Sequence, residues 1–209
     1  MLDRRRMLIA NSKGGALPRG YTALAYLEST GTQYMITDIT DITATDELYI
    51  KVATTTSGRD EQNYYGFDYS NHYFDLNGRH PSQQNRVQFA WGVGVTLNTS
   101  IVATVGTTYE VTTKVESGNL NIYIDDIHQG SVSTTSYSAN QKHALFGRAR
   151  DSAIRLYAKA KIYAFKYWRN GDLIADFIPA LDTQNTPCMY DAVSHNTYYN
   201  LGTGVFLYG

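Results

Sequence analysis

Tyr109-Glu110-Val111-Thr112-Thr113-Lys114-Val115, then Glu116-Ser117-Gly118-Asn119, then Leu120-Asn121-Ile122-Tyr123-Ile124-Asp125 is the stretch that decides the fold. Strand side chains alternate between faces, so Leu120, Ile122 and Ile124 fall on one side and Asn121, Tyr123 and Asp125 on the other. Two such runs joined by a short glycine-containing turn predict an antiparallel hairpin with its apolar side buried.

The same alternation recurs on either side of it. Glu47 to Thr55 puts Leu48, Ile50 and Val52 on one face. Tyr21 to Ile39 has β-type content with a turn at Ser29-Thr30-Gly31, and Val87 to Val95 is a strand thinned on one face by Gly92 and Gly94. The aromatic stretch from Tyr64 to Leu76 ends at Asn77-Gly78, which predicts a hairpin turn there. Ile154 to Trp168 supplies one bent strand or two, and Arg169-Asn170-Gly171-Asp172 turns it into Leu173 to Ile178. Short strands follow at Met189-Tyr190, Thr197 to Asn200 and Val205 to Tyr208. No segment of helical length carries a 3.6-residue period. Many short strands separated by Gly/Asn turns predict an all-β sandwich or jelly roll of two antiparallel sheets.

Composition agrees. The chain has 209 residues, 43% hydrophobic and 18% charged, enough for one domain with its own core. Its 18 tyrosines favour strands. A net charge of −1 excludes a molecule that is basic as a whole, so no nucleic-acid partner is expected. No apolar run reaches the ~18 residues of a spanning helix. Cys188 is the single cysteine, which excludes an intrachain disulfide and a multi-cysteine zinc site. The first residues lack the apolar stretch of a secretory signal, so synthesis in a cytoplasm and release by lysis or another non-secretory route are expected.

Charge is unevenly spread. Residues 1–20 hold Arg4, Arg5, Arg6, Lys13 and Arg19 against Asp3, a net of +4, which leaves −5 for the remainder. Residues 1–16 then read in one of two ways. They form a solvated tail, or a docking arm in which Arg4, Arg5 and Arg6 meet carboxylates while Met7, Leu8 and Ile9 supply an apolar plug. The domain proper is assigned to residues 17–209.

Catalytic signatures are absent from the sequence. The five glutamates, Glu28, Glu47, Glu61, Glu110 and Glu116, show no E-x-D-x-x-E spacing of the kind that places two carboxyls about 5–5.5 Å apart. His72, His80, His128, His143 and His195 are scattered, without metal-ligand spacing. No phosphate loop or nucleophile elbow occurs. Asp68, Ser70, Asn71 and Asp75 offer oxygens to calcium without a fixed motif. No catalytic residue, metal site or cofactor is therefore assigned. The best candidate binding surface is the aromatic stretch Asn63 to Asp75, where Tyr65 and Tyr69 could stack on the apolar face of a sugar and Asp68 and Asn71 bond its hydroxyls. Tyr65, Phe67 and Tyr69 also share one strand face, as a core stripe would, and Trp91 and Trp168 have the same two readings.

Both ends of the body carry a resemblance. Leu17-Pro18-Arg19-Gly20-Tyr21-Thr22-Ala23-Leu24-Ala25-Tyr26-Leu27-Glu28-Ser29-Thr30-Gly31-Thr32-Gln33-Tyr34 resembles the opening of a family of concanavalin-A-like (laminin-G-like) jelly-roll modules. Lys161 to Gly171, Asp176-Phe177-Ile178-Pro179-Ala180, Met189-Tyr190-Asp191 and Tyr198 to Gly204 resemble its later motifs, and Leu120 to Gly130 resembles a strand-turn motif of the wider superfamily. Asp126 stands where that motif often has glycine, and Pro187-Cys188 precede Met189 where glycine is usual. The resemblance implies a lectin- or glucanase-like fold, found in structural proteins of tailed bacteriophages and in surface proteins of gut anaerobes. It carries no functional residue with it.

Three functions are compatible with this reading. The first is a non-catalytic virion structural or decoration protein, held to other virion proteins or neighbouring copies by its basic arm. The second is a glycan-binding lectin module mediating adhesion to a bacterial or mucosal surface. The third, a glycanase, is disfavoured by the missing acid pair. Insertion into a membrane is not expected.

Overall fold

The computed structural model describes residues 16–56, 62–70, 72–80, 86–93, 95–134, 136–150 and 153–209. Among these residues every regular element is a strand. In chain order they are β1 (Thr22–Ala23), β2 (Leu27–Thr30), β3 (Met35–Ile42), β4 (Glu47–Thr54), β5 (Gln62–Tyr69), β6 (His72–His80), β7 (Arg86–Val93), β8 (Val95–Val102), β9 (Thr108–Glu116) and β10 (Asn119–Ile124). There follow β11 (Ile127–Ser133), β12 (Tyr137–Leu145), β13 (Arg148–Arg150), β14 (Ala153–Arg155), β15 (Lys159–Arg169), β16 (Asp172–Leu181), β17 (Pro187–Asp191), β18 (Thr197–Tyr198) and β19 (Leu207–Tyr208). One sheet has the order β11-β10-β9-β4-β15-β16-β17-β18, with β2 joining β15 to β19 and β1 beside β16. The second has the order β14-β13-β5-β6-β7-β8, with β12 linking β5 to β3. Pairing is antiparallel except where β13 runs parallel to β5. The result is the all-β jelly-roll sandwich that the hairpin and the turn spacing predict.

The deciding hairpin is β9–β10, and Leu120, Ile122 and Ile124 are buried as the alternation requires. They join Leu48, Ile50 and Val52 of β4 on the inner face of the first sheet. Tyr65, Phe67, Phe74, Leu76, Phe89 and Trp91 line the inner face of the second. The layers interlock through aromatic contact, with Tyr65 and Phe165 at 4.5 Å between ring centroids, and within the second sheet Phe74 and Trp91 pack edge to face at 4.5 Å.

The turn expected at Asn77-Gly78 is not there. Both residues lie inside β6, and the β5–β6 hairpin reverses next to Ser70, which takes a left-handed φ of 49°. Gly78 marks a close approach instead of a turn. A Cβ on it would lie 1.9 Å from Cζ of Tyr64. That approach accommodates a bulge: the register shifts between Asn63 and Tyr65, so that Tyr64 and Tyr65 both enter the core cluster. At the β10–β11 turn Asp125 and Asp126 are both left-handed, at φ 50° and 65°, so Asp126 adopts the backbone that glycine would have supplied.

A polar network crosses the core. The Asp41 carbonyl can only accept, so His143 donates to it from Nε2 at 3.1 Å, and its Nδ1 accepts from the Tyr65 hydroxyl. Alongside, Tyr167 donates to Asp46 at 2.8 Å, and Arg169 donates to the same carboxylate from Nε at 2.8 Å and from Nη2 at 2.9 Å. Burial pushes the His143 imidazole down to about 3, so the ring is neutral at pH 7.

Candidate functional site

The outer face of the second sheet is polar, and much of it is buried. On β6 the residues that alternate with Phe74 and Leu76 point outward: Tyr73, Asp75 and Asn77. Cross-strand register sets Asp68 beside Tyr73, Gly66 beside Asp75 and Asn63 beside Asn77. On β7, Gly92, Ala90 and Gln88 continue these three rows, and on β8 Thr96 and Asn98 extend the last two. Gly66, Ala90 and Gly92 make the middle of the face low. Gly66 is required there, because a Cβ would come within 2.4 Å of the Asp75 Cβ. Around this floor Asn63, Asp68, Asp75 and Asn77 are all buried, while Thr96 and Asn98 are exposed on one side and Arg150 on the other.

Charge balance comes from β13, whose parallel register sets Arg150 beside Asp68. Arg148 Nη1 donates to Asp75 Oδ2 at 3.0 Å, and its Nη2 lies 3.6 Å from Asp68 Oδ2. Arg150 Nη1 lies 3.4 Å from the same Asp68 oxygen, and the Arg148 guanidinium sits 5.5 Å from the Tyr73 ring centroid. Both carboxylates are engaged by guanidinium groups, an arrangement that holds charge in place rather than delivering a proton.

One carboxylate orients the whole amide row. Asp75 accepts and does not donate, so Asn77 turns its Nδ2 toward it, at 3.1 Å from Asp75 Oδ1. The same Nδ2 reaches Gln88 Oε1 at 3.4 Å, and Gln88 Nε2 then donates to Asn98 Oδ1 at 2.8 Å. On the other side Asn77 presents Oδ1 to Asn63, which answers with Nδ2 at 3.2 Å. Asn63 Oδ1 is thereby turned away from the row, and neither it nor Asp68 Oδ2 has a hydrogen-bond donor.

Of the residues read from the sequence as a glycan platform, Asp68 lies on this face. Tyr65 does not: it is 0% exposed on the opposite face, its hydroxyl committed to His143 and its ring packed on Phe165, so it has no face left for a ligand. Tyr69 also packs against the core margin, 6.4 Å from Tyr137. Asn71 lies outside the described residues, as do the arm residues Arg4, Arg5, Arg6, Met7, Leu8 and Ile9. Trp91 is core, and Trp168 is half-buried on the first sheet. The sequence reading held Asn63 and Tyr73 only as members of the aromatic stretch, and it missed Asn77, Gln88, Asn98, Arg148 and Arg150. The alternation of Tyr73, Asp75 and Asn77 against Phe74 and Leu76 was a usable signal. The placement of β13 beside β5 had none.

A concavity of about 460 Å³ lies on the outer face of the first sheet between Tyr49, Lys51, Thr108, Glu110, Thr112 and the Asp125-Asp126 turn. Its polar groups satisfy one another: Lys51 pairs with Glu110 at 2.9 Å, and Asp125 Oδ1 accepts from the Glu110 amide at 2.9 Å. Among the described residues no group of three or more His, Cys, Asp or Glu is placed to hold a metal ion.

No family model matches the chain, and no curated protein matches it in sequence. Solved structures do match in fold. A Bacteroides ovatus protein described as carbohydrate-binding superposes with a TM-score of 0.66 at 11% identity, over 90% of this chain and 60% of that one. The chain thus spans less than two thirds of that protein. The CBM40 module of Ruminococcus gnavus IT-sialidase, solved with α2,3-sialyllactose, gives 0.54 at 12% identity over 73% of this chain and 92% of that one. Mouse laminin α1 domains LG4-5 give 0.50 at 16% identity, over 78% and 44%. The fold is therefore concanavalin-A-like and laminin-G-like, as the sequence resemblance implies.

Proposed function

We propose that this chain is a non-catalytic glycan-binding module whose ligand rests on the outer face of the second sheet. The observation that carries the reading is the polar row that runs from the buried Asp68, Asp75, Asn63 and Asn77 across Gly66, Ala90 and Gly92 to the exposed Thr96 and Asn98, with Tyr73 half-buried beside it. Sugar hydroxyls supply donors and acceptors together, and Tyr73 offers an aromatic surface beside them. Solved structures of the same fold include a carbohydrate-binding module seen with its saccharide, which supports the reading by analogy of fold. The test is a glycan array probed with the full chain and with Tyr73→Ala and Asn98→Ala. Selective hits that weaken in both variants at unchanged melting temperature are expected. A blank array at high protein concentration refutes the proposal.

A virion role is the finer part of the same proposal. Arg4, Arg5 and Arg6 followed by Met7, Leu8 and Ile9 suit attachment to a particle or to neighbouring copies, and the +4 of residues 1–20 contrasts with −5 in the remainder. The sequence resemblance to phage structural modules supports it. Deleting residues 1–16 is expected to leave the domain folded and abolish attachment; a truncated chain that still assembles refutes it.

A further inference from the structure

The two sheets meet along β8 and β11, and at one end of that seam three apolar side chains stand in solvent: Val102 at 49%, Val105 at 46% and Ile127 at 64% exposure. Contacts along the seam bring them to the same place. A Cβ on Gly130 would lie 2.9 Å from Leu97 Cδ1, so these two residues touch. Further along, Gln129 Oε1 accepts from the Ser100 amide and hydroxyl while its Nε2 donates to the Ile127 carbonyl. The strands thus pass each other in opposite senses, and Val102 falls at the Ile127 end. The Tyr109 hydroxyl donates to the Val102 carbonyl at 3.4 Å and accepts from the Thr104 amide at 3.1 Å, which folds the segment carrying Val105 over that end as well.

The concavity of the first sheet opens at the same end. Val105 stands shortly before Thr108 in its lining, and Ile127 directly follows the Asp125-Asp126 turn. Its hydrogen bonds are made internally, but its lining brings three carboxylates, Glu110, Asp125 and Asp126, against the single ammonium of Lys51. Exposed apolar side chains beside an acidic hollow suit a partner that presents cations and apolar groups in succession. We infer that this end receives the basic arm of a second copy of the chain, with Arg4, Arg5 and Arg6 at the carboxylates and Met7, Leu8 and Ile9 on Val102, Val105 and Ile127. The inference rests on the reading of residues 1–16 as a docking arm and supplies the surface that receives it. The match is one of order as well as kind: three arginines run straight into three apolar residues, as Asp125-Asp126 runs straight into Ile127. Leu17 follows Ile9 closely enough that an extended segment between them reaches about 29 Å, which lets the arm leave its own body. The chain's own arm starts at β1 beside β16, with β15 and β4 between it and β9, and would have to lay its arginines over Lys161 and Lys166 of β15. A neighbour's arm meets the hollow without that crossing.

The experiment measures self-association of the full chain by sedimentation velocity over a range of concentrations. Association is expected, and raising sodium chloride from about 0.05 M to about 0.5 M should weaken it about tenfold, because exposed charges are screened. Two full-length variants separate the arm from its receiving surface. One carries Arg4→Glu, Arg5→Glu and Arg6→Glu. The other carries Asp125→Asn and Ile127→Ser, in which asparagine keeps an acceptor for the Glu110 amide and tolerates the left-handed turn. Each alone is expected to associate about tenfold more weakly than the wild type at an unchanged melting temperature. Mixed, they should form a 1:1 complex tighter than the self-association of either, because the intact arm of the second meets the intact surface of the first. A wild type that stays monomeric, or a mixture that associates no better than its components, overturns the inference. Neither result decides the arm reading, which is refuted separately by a chain lacking residues 1–16 that still attaches to the particle.

Discussion

Lowering the pH from 7.5 to 5.0 should destabilise this fold through His143. The ring is wholly buried, donates from Nε2 to the Asp41 carbonyl and accepts at Nδ1 from Tyr65, so it has no place for a second proton. Burial lowers it from an ordinary 6.5 to about 3. Between those values the unfolded chain takes up a proton and the native chain does not. Linkage then makes stability rise with pH across the window and fall as pH drops through the unfolded value. The loss works out at about 2 kcal/mol by pH 5, on the way to a ceiling of about 5 kcal/mol below pH 3. Asp38 and Asp182, whose hydrogen bonds hold them below their ordinary 3.8, titrate under the window, whereas burial raises Asp176 toward it. Urea unfolding followed by tryptophan fluorescence at both pH values, on the wild type and on His143→Asn, isolates the effect, since other groups contribute equally to the two proteins. The wild type should lose about 2 kcal/mol more than the variant. The His143 Cε1 proton should also keep its chemical shift from pH 7.5 to 4.5. Equal losses in the two proteins, or a His143 resonance that titrates near 6.5, would refute the reasoning.

Ile122→Ala empties a site that is 0% exposed in the deciding hairpin and should cost about 2–5 kcal/mol in chemical denaturation. Gly78→Ala puts a methyl 1.9 Å from the Tyr64 ring, and overpacking of this kind costs about 1–3 kcal/mol, seen as a lowered melting temperature. Asp75→Asn leaves one acceptor oxygen where Asn77 Nδ2 and Arg148 Nη1 now use two, and removes the charge paired with Arg148; a loss of about 3–5 kcal/mol in urea unfolding is expected. Lys51→Ala breaks an exposed pair with Glu110 and should change stability by less than about 1 kcal/mol in the same assay.

The fold was legible because the residues that build it repeat one local rule. Leu120, Ile122 and Ile124, like Leu48, Ile50 and Val52, alternate without interruption and are buried without exception. What the rule could not locate were the strands it does not mark. In β11, Ile127 is exposed and Val132 buried among small and polar residues, so no apolar stripe announces the strand. It exists because β10 pairs with it through a turn at Asp125-Asp126, a conformation that glycine would have advertised and aspartate does not.

The candidate site was half legible, and the reason is one inserted residue. Reading Tyr65, Asp68 and Tyr69 as a single surface assumed that aromatic and acidic side chains in one segment point the same way. Period-two geometry separates Asp68 from Tyr65 and Tyr69, and the structure obeys it. The bulge at Tyr64 then shifts phase within β5, so that Asn63 falls on the face of Asp68 although five residues separate them. Without the bulge, Asn63 would share a face with Tyr65 and the amide row would have no first member. The bulge depends on Gly78, fourteen residues further along the chain and read from the sequence as a turn, because only a residue without a side chain leaves room for the Tyr64 ring. The polar face is thus set by a contact between two strands, and no window of sequence short enough to show a period contains both partners in register.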